Sequence, residues 1–159
     1  MSISAKMGTY LDNSGVHYEL LEHTHSYSSL STAITANIPP CQIAKAVVLE
    51  DHEGRKMMAV LPASNKIRFS KLNEYFHRDF HLMKEESVYQ LFQDCEEGAI
   101  PPLAQAYNMD VVYDDRLSSE SDVYLEGGDH VYMVHLKGSE FSELMKGTKH
   151  MRFSHQAYH

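Results

Sequence analysis

The most apolar short run in the chain is Gln42-Ile43-Ala44-Lys45-Ala46-Val47-Val48-Leu49-Glu50-Asp51. At the period-2 repeat of a strand, Lys45, Val47 and Leu49 share one face and Ala44, Ala46 and Val48 the other, so neither face is built for water. The pattern predicts a central strand covered on both sides. Asp51-His52-Glu53-Gly54 is a turn too short for anything but an antiparallel return, which makes residues 56–62 the hairpin partner. Upstream, residues 4–13 read as a short amphipathic helix closed by Gly15 in a left-handed cap, and residues 16–23 as a first strand. Ser28, Ser29 and Ser31 offer N-cap hydroxyls for a helix to about Ala36, which Ile38-Pro39-Pro40 stops before a single turn leads into the Lys45 strand. Downstream, helices are predicted over 70–76, 85–92 and 139–145, with strands over 80–83, 109–114, 122–125 and 131–136. Hairpins mixed with helical crossovers give an α/β (mixed α+β) fold class, one mixed sheet curled towards a barrel with helices packed outside.

Lys45 is the charge inside the apolar run. Its ammonium must snorkel to solvent at the sheet rim, find a partner or point into a polar cavity, because burial without a partner costs several kcal/mol or forces it neutral. A second feature is the loop Asp94-Cys95-Glu96-Glu97-Gly98-Ala99-Ile100-Pro101-Pro102-Leu103. Its glycine permits close backbone approach and its paired prolines stiffen the downstream backbone, as in irregular segments that line a site.

Composition narrows the class. With 159 residues, 43% of them hydrophobic, and no low-complexity run, residues 1–159 are expected to form one domain that buries roughly two-thirds of its unfolded surface. Cys41 and Cys95 lack ligand spacing and make no disulfide framework, so a reducing cytoplasm is the expected location. No run approaches the ~18 apolar residues of a membrane span, and no membrane partner is expected. The net charge of -8 argues against broad nucleic-acid binding, and no DNA partner is expected. The charge is polarised, however. Residues 45–84 hold eight basic against five acidic residues, whereas residues 85–135 hold twelve acids against Arg116 alone. A polyanion would approach the face of Lys45, Arg55, Lys56, Lys66, Arg68, Lys71, Arg78 and Lys84. The eleven histidines, including His23-x-His25 and His150 with His155, show no HExxH or fixed Cys/His set, so neither a metal nor a cofactor is expected.

Taken in order and at their spacing, four pieces resemble the YbaK and prolyl-tRNA-synthetase insertion-domain superfamily of aminoacyl-tRNA deacylases. They are Gln42-Ile43-Ala44-Lys45 leading a strand, Ala59-Val60-Leu61-Pro62-Ala63 on the next, Gly98-Ala99-Ile100-Pro101-Pro102, and Gly127-Gly128 ahead of the last strand and helix. The resemblance covers nearly the whole chain and implies a YbaK-like, barrel-like mixed sheet with flanking helices. It also implies hydrolysis, in trans, of the ester joining an amino acid to the terminal ribose of a mischarged tRNA, in the service of translation fidelity. The partners it implies are a tRNA acceptor end carrying an amino acid and an aminoacyl-tRNA synthetase.

Residue by residue, Lys45 matches the family's functional lysine. Gly98 and Pro101, with Ala99 and Ile100 between them, match the loop that lines its pocket, and Gly128 matches the glycine beside the final strand. Asp129-His130 suits either the pocket or an exposed turn. Members that clear cysteine have threonine after the lysine and serine before the paired glycines; this chain has Ala46 and Glu126, so cysteine specificity is not implied. The residue types suit ester cleavage, with an ammonium at Lys45 and N–H groups around residues 98–100 to stabilise charge and orient the substrate. No protein nucleophile is evident, which fits the substrate-assisted scheme suggested for the family, in which the vicinal ribose hydroxyl helps position water. The competing reading is a non-catalytic module of the same fold that holds a tRNA end or a nucleotide.

Overall fold

The computed structural model describes residues 3–24, 33 and 36–157. The helix expected to end near Ala36 falls mostly outside them. Helix α1 (Ala5–Ser14) opens on Ser4, whose hydroxyl accepts from the Met7 N–H at 3.1 Å, and closes on Gly15 at φ 77. It buries Met7 and Leu11 at the expected four-residue spacing. Strand β1 (Glu19–Glu22) comes next and is shorter than the pattern predicts. A single 3₁₀ turn at Pro40–Gln42 leads into β2 (Ile43–Asp51).

Strand β2 pairs antiparallel with β3 (Lys56–Pro62) from Ala44 opposite Pro62 to Glu50 opposite Lys56. Then come β4 (Asn65–Ile67), α2 (Phe69–Phe76), β5 (Phe80–Leu82), α3 (Glu85–Leu91), β6 (Val111–Asp114), β7 (Asp122–Glu126), β8 (Tyr132–Lys137), α4 (Gly138–Leu144), β9 (Lys149–Met151) and β10 (Ser154–Gln156). The main sheet runs β1-β8-β7-β2-β3-β6-β9, with β5 added to β2 beyond the end of β7, and β10 pairs with β4 in a small second sheet. Parallel and antiparallel ladders are mixed, as expected. Among the described residues no helix is long and apolar enough to cross a membrane.

The alternation in β2 builds two cores. Ala44, Ala46 and Val48 join Met58 and Val60 of β3 against α1, α4, Phe92 and Leu103. Val47 and Leu49 join Met57, Ala59 and Leu61 against Leu72 of α2, Phe80 and Phe153. Ile43, at the start of the strand, packs instead with Ala33, Ile38, Ala63 and Met133. Lys45 therefore projects on the Val47 and Leu49 face, between two apolar clusters.

Asp51 ends β2 and holds the hairpin. Its Oδ1 accepts from the N–H groups of Glu53 and Arg55, both at 2.9 Å, while Oδ2 accepts from the side chains of Arg55 at 2.8 Å and Arg78 at 2.6 Å. Burial alone would raise this carboxyl, but those four hydrogen bonds outweigh it and hold it well below the usual carboxylate range. Asp51→Asn should therefore lower the melting temperature by several degrees at neutral pH. A depressed carboxylate contributes stability above its unfolded pKa of about 4 and loses it as pH falls towards the folded value. The gap between variant and wild type should accordingly narrow below about pH 4; a gap that stays constant down to low pH would contradict this role. The pairing also removes Arg55 and Arg78 from the free basic face expected for a polyanion. Lys66, Arg68 and Lys71 remain exposed, with no ion pair among the described residues.

Three short strands escape the sequence pattern. Strand β9 pairs parallel with β6, helped by His150, which stacks on Tyr113 and lies 2.6 Å from Asp115. Strand β10 is fixed by a buried network in which Ser154 donates to Asp114 at 2.6 Å and accepts from the Asn65 amide at 2.9 Å. Strand β4 exists as the partner of β10.

Candidate functional site

The site begins where β2 loses its neighbours. On one edge β7 pairs with Ile43 and Ala44 only, and β5 takes over from Leu49, leaving residues 45–48 between them. Backbone polarity along that gap can be read from two bonds. The Ile43 carbonyl accepts from Ala63 N–H on the β3 side at 2.8 Å, and the Val48 carbonyl accepts from Met83 N–H on the opposite side at 3.1 Å. In an antiparallel ladder both groups of one residue point the same way and alternate along the strand. The N–H and C=O of Ala46 therefore point out of the open edge, and neither has a backbone partner among the described residues. The gap opens into a cavity of about 220 Å³ lined by Ala46, Val47 and Val48, by Leu82 and Met83, by Glu85, Val88 and Tyr89 of α3, and by Gly98 and Ile100.

Lys45 precedes this edge by one residue. It is half-buried, and its ammonium has no hydrogen bond or ion pair among the described residues. Burial, and then the nearby charge of Lys66, pull its ammonium below the ordinary lysine range. Its side chain leaves the strand on the face of Val47 and Leu49, whereas the cavity walls Ala46, Val48, Val88, Tyr89 and Ile100 belong to the core on the other face, and Lys45 is not a lining residue. A desolvated, unpartnered cation beside an open strand edge is suited to meet a negative group brought by a ligand.

The other expected residues fall in two places. Gly98, exposed at φ 79, and Ile100 form one wall of the cavity, whereas Ala99 and Pro101 are buried behind them. Gly128, Asp129 and His130 lie on the turn between β7 and β8 and are not lining residues. They seat the loop: Glu96 N–H donates to the Gly128 carbonyl at 2.7 Å, and the His130 Nε2 bonds the Glu97 carbonyl. A Cβ on Gly128 would meet Cys95 Sγ at 3.2 Å and Ser4 Cβ at 3.3 Å, so a larger residue would push the turn off both. Asp129 Oδ1 accepts from Val131 N–H at 2.9 Å and Tyr132 N–H at 2.8 Å, shaping the turn itself.

The loop is also fixed from below. Tyr107 donates to Asp94 at 2.8 Å, and its oxygen lies 2.9 Å from Ser4 Oγ and 3.4 Å from Cys95 Sγ. Burial chiefly pushes the Cys95 thiol up to about 12, so it stays protonated near neutral pH. Iodoacetamide at pH 7.5 should label the exposed Cys41 and spare Cys95 in the native protein. Peptide mass spectrometry reads the result, and modification at Cys95 would contradict the packed network.

Glu85, Val88 and Tyr89 were not singled out from sequence. Burial, and then the charges of Glu85 and Glu97, push the Tyr89 phenol above the ordinary tyrosine range. Nothing in their spacing marks them, because they reach the site only through the packing of α3 beside the β2 edge.

The whole-chain architecture recurs in solved structures. A hypothetical protein superposes with a TM-score of 0.84 at 21% identity, covering 94% of this chain and 99% of its own. A protein named as a candidate trans-editing enzyme for prolyl tRNA synthetase superposes with a TM-score of 0.79 at 18% identity, covering 94% and 95% respectively. A candidate signal transduction protein from Marinobacter aquaeolei VT8 contains the same fold within 30% of its length, with a TM-score of 0.75 at 18% identity. At these identities the structures establish the fold alone. No curated protein sequence matches the chain significantly. The sequence profile of the aminoacyl-tRNA editing domain matches residues 22–144, which include β2, the Gly98 loop and the turn behind it. The chain belongs to the aminoacyl-tRNA editing domain family.

Proposed function

We propose that the protein is a hydrolase that cleaves the ester of mischarged tRNA in trans, with residues 1–159 acting as one domain. The observation that supports this reading is the open edge of β2, where the outward backbone of Ala46, next in the chain to Lys45, meets the Gly98–Ile100 wall in an editing-domain chain. In this reading the aminoacyl group enters the 220 Å³ cavity, larger than the ~150 Å³ that holds a benzene, and the terminal adenosine stays outside. Water attacks the ester carbonyl carbon, negative charge gathers on the carbonyl oxygen, and the bond to the ribose oxygen breaks as that oxygen takes a proton. Lys45 supplies the positive charge that the oxyanion or the adjoining phosphate requires, and the loop, seated by Gly128, Asp129 and His130, fixes the ester against it. The vicinal ribose hydroxyl positions the water, so the protein need supply no nucleophile of its own.

The partner in this reading is the acceptor end of an aminoacylated tRNA. Lys66, Arg68 and Lys71 offer exposed positive charge on the Lys45 side of β2, whereas the acidic half of the chain turns the nucleic acid away. A protein of the same fold is named for prolyl tRNA synthetase, so mischarged tRNAPro heads the panel to be assayed, with that synthetase as a candidate partner. Incubating a panel of mischarged tRNAs with the protein and following loss of the ester tests the proposal. Accelerated loss of at least one non-cognate ester is expected. Binding of tRNA with every ester decaying at the buffer rate would favour the non-catalytic module.

A further inference from the structure

The cavity beside β2 has one charged residue in its lining. Among its ten lining residues Glu85 alone carries an acidic side chain, Tyr89 alone adds another polar side-chain group, and the rest are apolar side chains or backbone. Glu97 adds a second carboxylate close to the Tyr89 phenol. The remaining polar feature is the edge backbone of Ala46, whose N–H and carbonyl both face the gap with no backbone partner among the described residues, so that the carbonyl is open as an acceptor. A cavity with apolar walls, a carboxylate at the first turn of α3 and an outward carbonyl on the facing strand is complementary to a small apolar group carrying a cation. The α-carbon of an aminoacyl ester presents that combination: a side chain, and an ammonium that needs acceptors as it leaves water.

We propose that Glu85 and the Ala46 carbonyl read the free α-ammonium of the aminoacyl group, so that the site accepts aminoacyl esters and rejects those whose amine is acylated. This rests on the hydrolase reading above and adds the feature of the substrate that the cavity selects. Acylation removes the charge that Glu85 attracts and adds bulk beside the strand. The Glu85 carboxylate is then left facing a neutral amide as it leaves water, which costs more than the loss of one bond. The consequence for function is selectivity by amine: chains already begun, whose ester-bearing residue is N-acylated, are left intact, while singly charged tRNA is open to attack. Glu85 is exposed on the helix surface and takes no part in the core, so its substitution leaves the fold in place.

The test uses one tRNA charged with one amino acid that the protein hydrolyses, beside the same aminoacyl-tRNA after N-acetylation. Each single-turnover rate is divided by the rate in buffer, because the free amine labilises the ester on its own. The corrected rate should fall at least ~100-fold on acetylation, the order expected when a charged hydrogen bond is lost and an acceptor is left unpaired. Glu85→Gln should bring the ratio of the two rates at least ~10-fold closer to unity, and Glu85→Asp should restore part of it. Equal corrected rates for both esters in the wild type would overturn the inference and leave the hydrolase reading standing. A wild-type preference for the free amine that Glu85→Gln does not change would also overturn the assignment to Glu85. Failure to accelerate any ester of the panel would overturn the hydrolase reading, and this inference with it.

Discussion

Lys45→Ala should lower the rate of ester hydrolysis by about 10²–10³-fold while leaving the melting temperature unchanged or slightly raised. The size is that expected for removing a preorganised positive group from a site where negative charge develops. The stability expectation comes from the same geometry. Lys45 has no partner among the described residues and lies between apolar clusters, and its ammonium is held below the ordinary lysine range first by burial and then by Lys66. For a lysine whose folded pKa is depressed, the charged form is disfavoured by folding, so removing the charge at neutral pH relieves a cost. Lys45→Met should retain or gain thermal stability for that reason and still lose activity. Lys45→Arg should fail as well, since a planar fork does not occupy the place of a compact ammonium. Turnover at the wild-type rate in the folded alanine variant would refute the assignment.

Substitution at Gly98 should have the second largest effect, and its two causes can be separated. Gly98 takes φ 79, a left-handed conformation that costs an L-residue about 1–2 kcal/mol, and it also lines the cavity. Gly98→Ala should therefore lower the melting temperature by roughly 2–8 °C, the range that cost spans in a protein of this size. Gly98→Val adds branching inside the cavity and should reduce hydrolysis by a further tenfold to a hundredfold, the equivalent of about 1–3 kcal/mol of overpacking. Esters of larger amino acids should suffer first. A loss of rate that is uniform across a size series, and equal in the two variants, would leave Gly98 a turn residue with no part in the wall.

These two residues were legible in the sequence for different reasons from the rest of the site. Lys45 stands out because it interrupts an apolar run, and the run's alternation predicts the face on which it emerges. Gly98 stands out because a glycine three residues before paired prolines marks rigid irregular backbone. The open edge at Ala46 was not legible, since it depends on where β7 and β5 stop along one edge of β2, and both strands are written downstream of the β2–β3 hairpin, separated by some forty residues. Glu85 and Tyr89 were hidden likewise: α3 was predicted, but the strand edge its first turn meets is a tertiary fact. Strands β4, β9 and β10 escaped because each is three residues long and held by Asp114, Ser154 and His150 through contacts that no local pattern encodes. The helices and long strands were legible because capping and alternation are local, as Ser4, Gly15 and the Asp51 turn show.

The placement of the aminoacyl group at the β2 edge is tested most directly by titrating the ¹⁵N-labelled protein with an amide-linked, non-hydrolysable aminoacyl-adenosine and tracking its backbone resonances. The largest shifts should fall on Ala46, Val48, Val88, Gly98 and Ile100, with Lys45 Nζ perturbed in a matching side-chain experiment, and Lys45→Ala should weaken but not relocate them. Shifts confined to another surface, with the Ala46 and Gly98 amides unmoved at saturation, would contradict the account.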